Sequence, residues 1–151
     1  MTESNKIKKN DIVISVSPWN DPADADKNFI ISIRVMLVKS FGKKRGTGVD
    51  VTDENIKHFL YPESVGISLF KMGESINSGI EISKDTMIRN LKRIIEVDKD
   101  WIEKYENKAK PEIVEAARKT LEKRINKLNN PIFEIKRYED LVKEIRVELN
   151  K

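Results

Sequence analysis

The sequence predicts an α+β fold: an N-terminal antiparallel sheet of three to four strands with a short helix, then a helical hairpin or kinked helix, a short strand and a final helix. Three observations predict it. Apolar residues alternate at a spacing of two before residue 40, the signature of half-buried strands. From Ser83 onward they recur at spacings of three and four, the signature of amphipathic helices. Prolines, glycines and asparagines fall between these segments and not within them.

Residues 11–17 place Ile12, Ile14 and Val16 on one side of a strand and Val13, Ser15 and Ser17 on the other, and Pro18 closes it. Residues 28–39 form a second strand whose apolar face is Phe29, Ile31, Ile33, Val35 and Leu37, with Ser32 and Arg34 interrupting the opposite face. PWNDPADADKN between them has the composition of a loop. Thr52 is suited to cap a short helix through Leu60, with Asp53 and Glu54 favourable in its first turn and Pro62 ending it. Residues 65–72 and 79–83 read as two further strands joined by the turn-rich GESINSG.

A helix from Ser83 to about Ala109 follows, built on Ile88, Leu91, Ile95 and Ile102, with Met87, Ile94, Trp101 and Tyr105 widening its apolar face. Pro111 suits the first position of the next helix, which buries Val114, Ala117, Leu121, Ile125 and Leu128. Asn129, Asn130 and Pro131 end it. Ile132–Ile135 then reads as a strand and Glu139–Leu149 as a last helix on Leu141, Val142, Ile145 and Leu149. Residues 1–10 read as a flexible polar tail and 11–151 as one domain, β-rich over 11–83 and helix-rich over 84–151.

Composition bounds the function. Charged residues make up 36% of the 151, against an ordinary value of about 25%, and hydrophobic residues make up 38%, so a charge-laced helical surface around a real core is expected. The net charge of +4 and a pI near 9.2 permit an anionic partner without demanding one. The absence of cysteine excludes disulfides, thiolate chemistry and Cys-containing metal sites. The N-terminal residues lack the apolar run of a secretory signal, and no stretch approaches the ~20 apolar residues of a membrane span, so a soluble cytoplasmic protein without membrane partners is expected.

Two basic clusters carry the main functional expectation. In FGKKRGTG, Gly42, Gly46 and Gly48 bracket Lys43, Lys44 and Arg45, and Lys39 extends the patch. Flexible backbone and clustered cations suit phosphate contact. The Gly-Lys-Ser/Thr order that ends a Walker A loop is absent, which disfavours nucleotide hydrolysis of that type. On the second predicted helix Lys119, Lys123 and Lys127 form an i, i+4, i+8 stripe, flanked by Arg118 and Arg124. Such a stripe suits a phosphate backbone; it is equally the composition of a solvated helix face.

Other constellations are weaker. Asp24, Asp26 and Asn28, with Asp21 before them, mimic the start of a calcium loop, but Phe29 stands where glycine is needed and Val35 where a bidentate glutamate is needed, so an EF-hand is excluded. His58 is the single histidine, with no triad or metal-ligand spacing around it. Asp98 and Asp100, or Glu63 and Glu74, have no assigned acid–base role. Asp98 interrupts the apolar repeat and is expected at the edge of a packing seam or facing a cation. No metal or cofactor is expected.

The leading expectation is therefore a non-enzymatic binding protein that meets DNA or RNA phosphates through Lys39, Lys43, Lys44 and Arg45 with help from Lys119, Lys123 and Lys127. The alternative is a protein–protein adaptor or homo-oligomer that uses Trp19, Trp101 and Tyr105 as interface anchors, its basic loop meeting an acidic protein surface. A small-molecule enzyme or ligand-binding protein comes third and requires a deep pocket near His58 or the clustered carboxylates.

Overall fold

The computed structural model describes residues 6–150. The elements run β1 (Ile12–Pro18), β2 (Phe29–Phe41), β3 (Gly46–Asp50), β4 (Asp53–Leu60), a single 3₁₀ turn (Pro62–Ser64), β5 (Leu69–Lys71), α1 (Asn77–Tyr105), α2 (Pro111–Asn129), β6 (Phe133–Arg137) and α3 (Tyr138–Leu149). The expected class holds: an antiparallel sheet, two helices, a strand and a last helix. The sheet has the order β4-β3-β2-β1-β5, with β6 also pairing with β2.

The chain divides into two compact units. One contains the chain through Ser17, Ile31–Ser83 and the chain from Ile135; the other contains Pro18–Ile30 and Lys84–Glu134. In the first, Ile7, Val13, Met36, Val38, Leu60 and Leu69 form a buried cluster against which Phe41 and Val65 pack. Each such side chain removed from water is worth roughly 1.5–3 kcal/mol. Residues 1–5 of the expected polar tail lie outside the described residues. Ile7 is a core residue, and the Asn10 N–H donates to the Val38 carbonyl at 2.8 Å, so the segment before β1 is fastened to the sheet.

In the second unit Met87, Leu91, Ile95 and Ile102 of α1 and Val114 of α2 are buried, and Phe29 stacks on Phe133 with centroids 4.9 Å apart. Arg118 bonds Glu106 at 3.1 Å and Arg124 bonds Asp98 at 2.6 Å, pairs that are spaced as an antiparallel helical hairpin requires. The hairpin, not the kinked helix, is therefore the arrangement of α1 and α2. Asp98 faces a cation, and the interruption of its apolar repeat is explained.

Three elements differ from expectation. Residues 53–60 are β4, not a helix. The Asp50 carboxylate accepts from both the N–H and the hydroxyl of Thr52, at 2.9 and 2.5 Å, and this side-chain turn reverses the chain so that Asp50 pairs with Asp53. The Asp and Thr that suggested a helix cap instead close a hairpin. Residues 79–83 are the first turns of α1, not a strand. Gly79 permits this: a Cβ there would lie 2.6 Å from the Phe70 ring. Its burial, and that of Ser83, Met87, Leu91 and Ile95, recurs every four residues. The strand expected over 65–72 is reduced to Leu69–Lys71.

Candidate nucleic-acid interface

FGKKRGTG is the tip of the β2–β3 hairpin. Phe41 pairs with Gly46, and the Gly42 N–H donates to the Arg45 carbonyl at 3.0 Å, leaving Lys43, Lys44 and Arg45 exposed. Gly46 is required by close approach, since a Cβ would meet the Ser40 carbonyl oxygen at 2.5 Å and the Phe41 ring at 2.7 Å. Gly48 is packed more loosely, with a Leu60 methyl 3.2 Å from its would-be Cβ. These two glycines are buried strand residues and only Gly42 belongs to the exposed turn.

The pairing of β2 with β3 is irregular between Val38 and Ser40: Val38 faces Gly48, but Ser40 faces Thr47. Lys39 is the extra residue of this bulge, and a bulge turns both of its residues toward one side of the sheet. Lys39 accordingly borders the same concavity as Thr47, Val49, Lys57 and Phe59, a depression of about 530 Å³. Ser40 and Thr47 hydroxyls bond across the ladder at 2.9 Å. Strand β4 supplies the rest: its even residues Ile56, His58 and Leu60 turn inward, while Asn55, Lys57 and Phe59 are exposed.

Phe59 is 57% exposed, and the Arg45 guanidinium lies 4.5 Å from its ring centroid. Lys39, Lys57 and Arg45 thus surround an exposed aromatic ring, with Lys43 and Lys44 at the hairpin tip and Glu54 as the one acidic residue bordering the depression. Lys57 and Phe59 were not among the sequence-predicted site residues. They became visible only when residues 53–60 proved to be a strand, although the alternation of Ile56, His58 and Leu60 was a signal for it.

The α2 stripe is used differently. Lys127 donates to the Pro22 and Asp24 carbonyls, both at 2.9 Å, and its ammonium sits 4.3 Å from the Phe29 ring centroid. Burial pulls its pKa below the ordinary lysine value, against the opposing pull of Asp24 and Asp21. Lys123 bonds Asp26 at 3.3 Å, and Arg124 donates to the Ala23 carbonyl at 3.0 Å besides its pair with Asp98. Lys119 alone of the three stripe lysines is exposed without an ion pair among the described residues. The stripe and the hairpin belong to different units.

The aspartates of the β1–β2 loop shape it. Asp21 accepts from the Ala23 N–H at 2.9 Å and Asp24 from the Asp26 N–H at 3.1 Å, while Asn20 bonds both the Asn28 carbonyl and the Ile30 N–H. Trp19 in this loop is half-buried, its backbone N–H donating to the Ile30 carbonyl. Trp101 and Tyr105 are half-buried neighbours with centroids 5.2 Å apart, and Trp101 borders a groove of about 330 Å³ with Ile113, Ala116 and Ala117.

His58 lies on β4. Its Nδ1 accepts from the Arg34 Nη1 at 2.9 Å, so the ring proton is on Nε2, which is buried without a partner among the described residues. Burial and the Arg34 charge hold its pKa below the ordinary 6.5, with Asp50 acting in the opposite sense. Carboxylates around it that could complete a catalytic relay are not in hydrogen-bond reach: Asp50 is held by Thr52. No helix among the described residues is long and apolar enough to cross a membrane. Compared with known protein families, curated proteins and solved structures, the chain matches none.

Proposed function

We propose that the protein binds nucleic acid without catalysing a reaction on it, and without strong sequence preference, through the β2–β3 hairpin and the adjoining face of β4. The observation that carries this reading is the exposed Phe59 ring set among Arg45, Lys39 and Lys57. Cations neutralise backbone phosphates, and an aromatic ring on an open strand surface offers a platform for an unpaired base. A duplex, whose bases are stacked on one another, uses the cations but not the ring. The arrangement therefore favours single strands.

The test is fluorescence anisotropy of labelled single- and double-stranded DNA and RNA at two salt concentrations. Binding that weakens with salt, with a log–log slope that falls by roughly two to three when Lys43, Lys44 and Arg45 become alanine together, is the expected result. Absence of binding to all four ligands at low salt overturns the reading.

A second reading rests on the α1–α2 groove, where half-buried Trp101 adjoins Ile113, which is 48% exposed. An aromatic anchor beside an apolar groove suits a protein partner or a second copy of the chain. Sedimentation equilibrium of the wild type and of Trp101→Ala tests it: a stable oligomer lost in the variant supports it, and a monomer with no captured partner overturns it.

A further inference from the structure

The inward face of the same sheet carries a second cleft, of about 350 Å³, bordered by Ser15, Arg34, Ser64 and Ser68. Arg34 is part-buried there with unusual company. One face of its guanidinium lies 3.3 Å from the Tyr138 ring centroid, and its single hydrogen bond goes to the neutral His58 ring. Its Nε is buried without a partner, and it makes no ion pair among the described residues. The carboxylate that acts on His58, Asp50, spends its oxygen on Thr52 and does not pair with Arg34. No acidic residue borders the cleft.

A guanidinium withdrawn from water without a carboxylate is costly unless something anionic joins it. The cleft also presents three hydroxyls, those of Ser15, Ser64 and Ser68, which make no hydrogen bond to other described residues. Guanidinium N–H groups together with hydroxyl donors form the donor set that recognises an oxyanion, and the fixed fork of arginine, held here by the Tyr138 ring, favours a bidentate one. We propose that this cleft binds the oxyanion group of a small soluble ligand, a phosphate or a carboxylate, through Arg34 and the hydroxyls of Ser15, Ser64 and Ser68. The site is separate from the Phe59 surface and stands whether or not that surface binds nucleic acid.

The experiment is a titration of the ¹⁵N-labelled full chain with inorganic phosphate in one arm and acetate in the other, at ionic strength held constant with chloride, following the Arg34 Nε–H and the Ser64 and Ser68 amide signals. A saturable shift of these signals by phosphate, acetate or both, and not by chloride, is expected; the arm that saturates at lower concentration identifies the oxyanion. Arg34→Gln should weaken binding about tenfold or more, the scale of a lost charge-assisted hydrogen bond. The double variant S64A/S68A, which leaves the guanidinium and its packing in place, should weaken it severalfold while the spectrum elsewhere is unchanged. Absence of a saturable shift in both arms, or shifts that are the same in S64A/S68A as in the wild type, overturns the proposal.

Discussion

The two basic clusters look alike in the sequence and differ in what their charges do. Lys43, Lys44 and Arg45 sit on a two-strand hairpin whose backbone satisfies itself: the turn is closed by the Gly42–Arg45 hydrogen bond, and its cations are left in solvent. Lys123, Arg124 and Lys127 sit on a helix beside a loop that does not satisfy itself. The Pro22, Ala23 and Asp24 carbonyls of that loop are instead capped by Lys127 and Arg124. A buried or half-buried carbonyl needs a donor, and an irregular loop rich in proline and aspartate supplies few from its own backbone. A cation is therefore available for a ligand where the surrounding backbone is regular, and is consumed where it is not.

Exchanging charge for alanine separates the clusters, and the largest effect is expected at the hairpin. The triple variant K43A/K44A/R45A should lose on the order of a hundredfold in oligonucleotide affinity at low salt, while chemical denaturation shows stability changed by no more than about 0.5 kcal/mol, as for solvated surface charges. An equal loss of stability would mean that the hairpin charges also hold the fold. The converse holds for Lys127→Ala, which should destabilise its unit by about 2 kcal/mol, because two charge-assisted hydrogen bonds and a ring contact are removed. Trp19 and Trp101, both in that unit, report the transition by fluorescence. A salt dependence of oligonucleotide binding that drops in this variant would show that the stripe contacts phosphate after all.

Smaller effects sharpen the contrast. Phe59→Ala should weaken single-strand binding about tenfold and leave duplex binding nearly unchanged, the difference expected when one base loses its stacking partner. Equal losses on both substrates would reassign the ring to a structural role. The smallest effect concerns His58. Its folded-state pKa lies below 6.5, so on acidification the unfolded chain takes up the proton first. Stability then falls as pH drops below about 6.5, until the folded-state imidazole itself titrates. His58→Gln keeps an acceptor for Arg34 and should flatten this part of the profile, as thermal melts between neutral and mildly acidic pH would reveal.

Much of the fold was legible because local signals agreed. Alternation over Ile12–Val16 and Phe29–Leu37 marked the long strands, and Pro111 marked the start of α2 at the observed residue. Even so, which side of β2 is buried did not follow one period: Phe29 and Ile31 are buried near its start, but Met36 and Val38 near its end. The misreadings fall where one residue serves two purposes. Thr52 after Asp50 suits a helix cap and a side-chain turn equally, and the choice depends on whether β3 lies alongside. Gly79 resembles a loop glycine until the Phe70 ring against it is known. At the candidate interface the cations of the hairpin were legible, but Lys57 and Phe59 were not, because their exposure depends on strand β4, and Lys39 joins them only through a bulge that no spacing announces.

By itself the sequence determined the class of fold, the order of its long elements, the turn at Gly42–Arg45 and the inventory of charges, because periodicity, proline and glycine act through neighbours in the chain. Only the tertiary structure decided which charges are free. Whether a lysine meets solvent, a carbonyl or an aspartate about a hundred residues away depends on contacts that local propensity does not encode, as the bonds from Lys127 to Pro22 and from Lys123 to Asp26 show. The same holds for Arg34: its place beside Tyr138, without a carboxylate, is set by pairing across the sheet and by the return of the chain at α3.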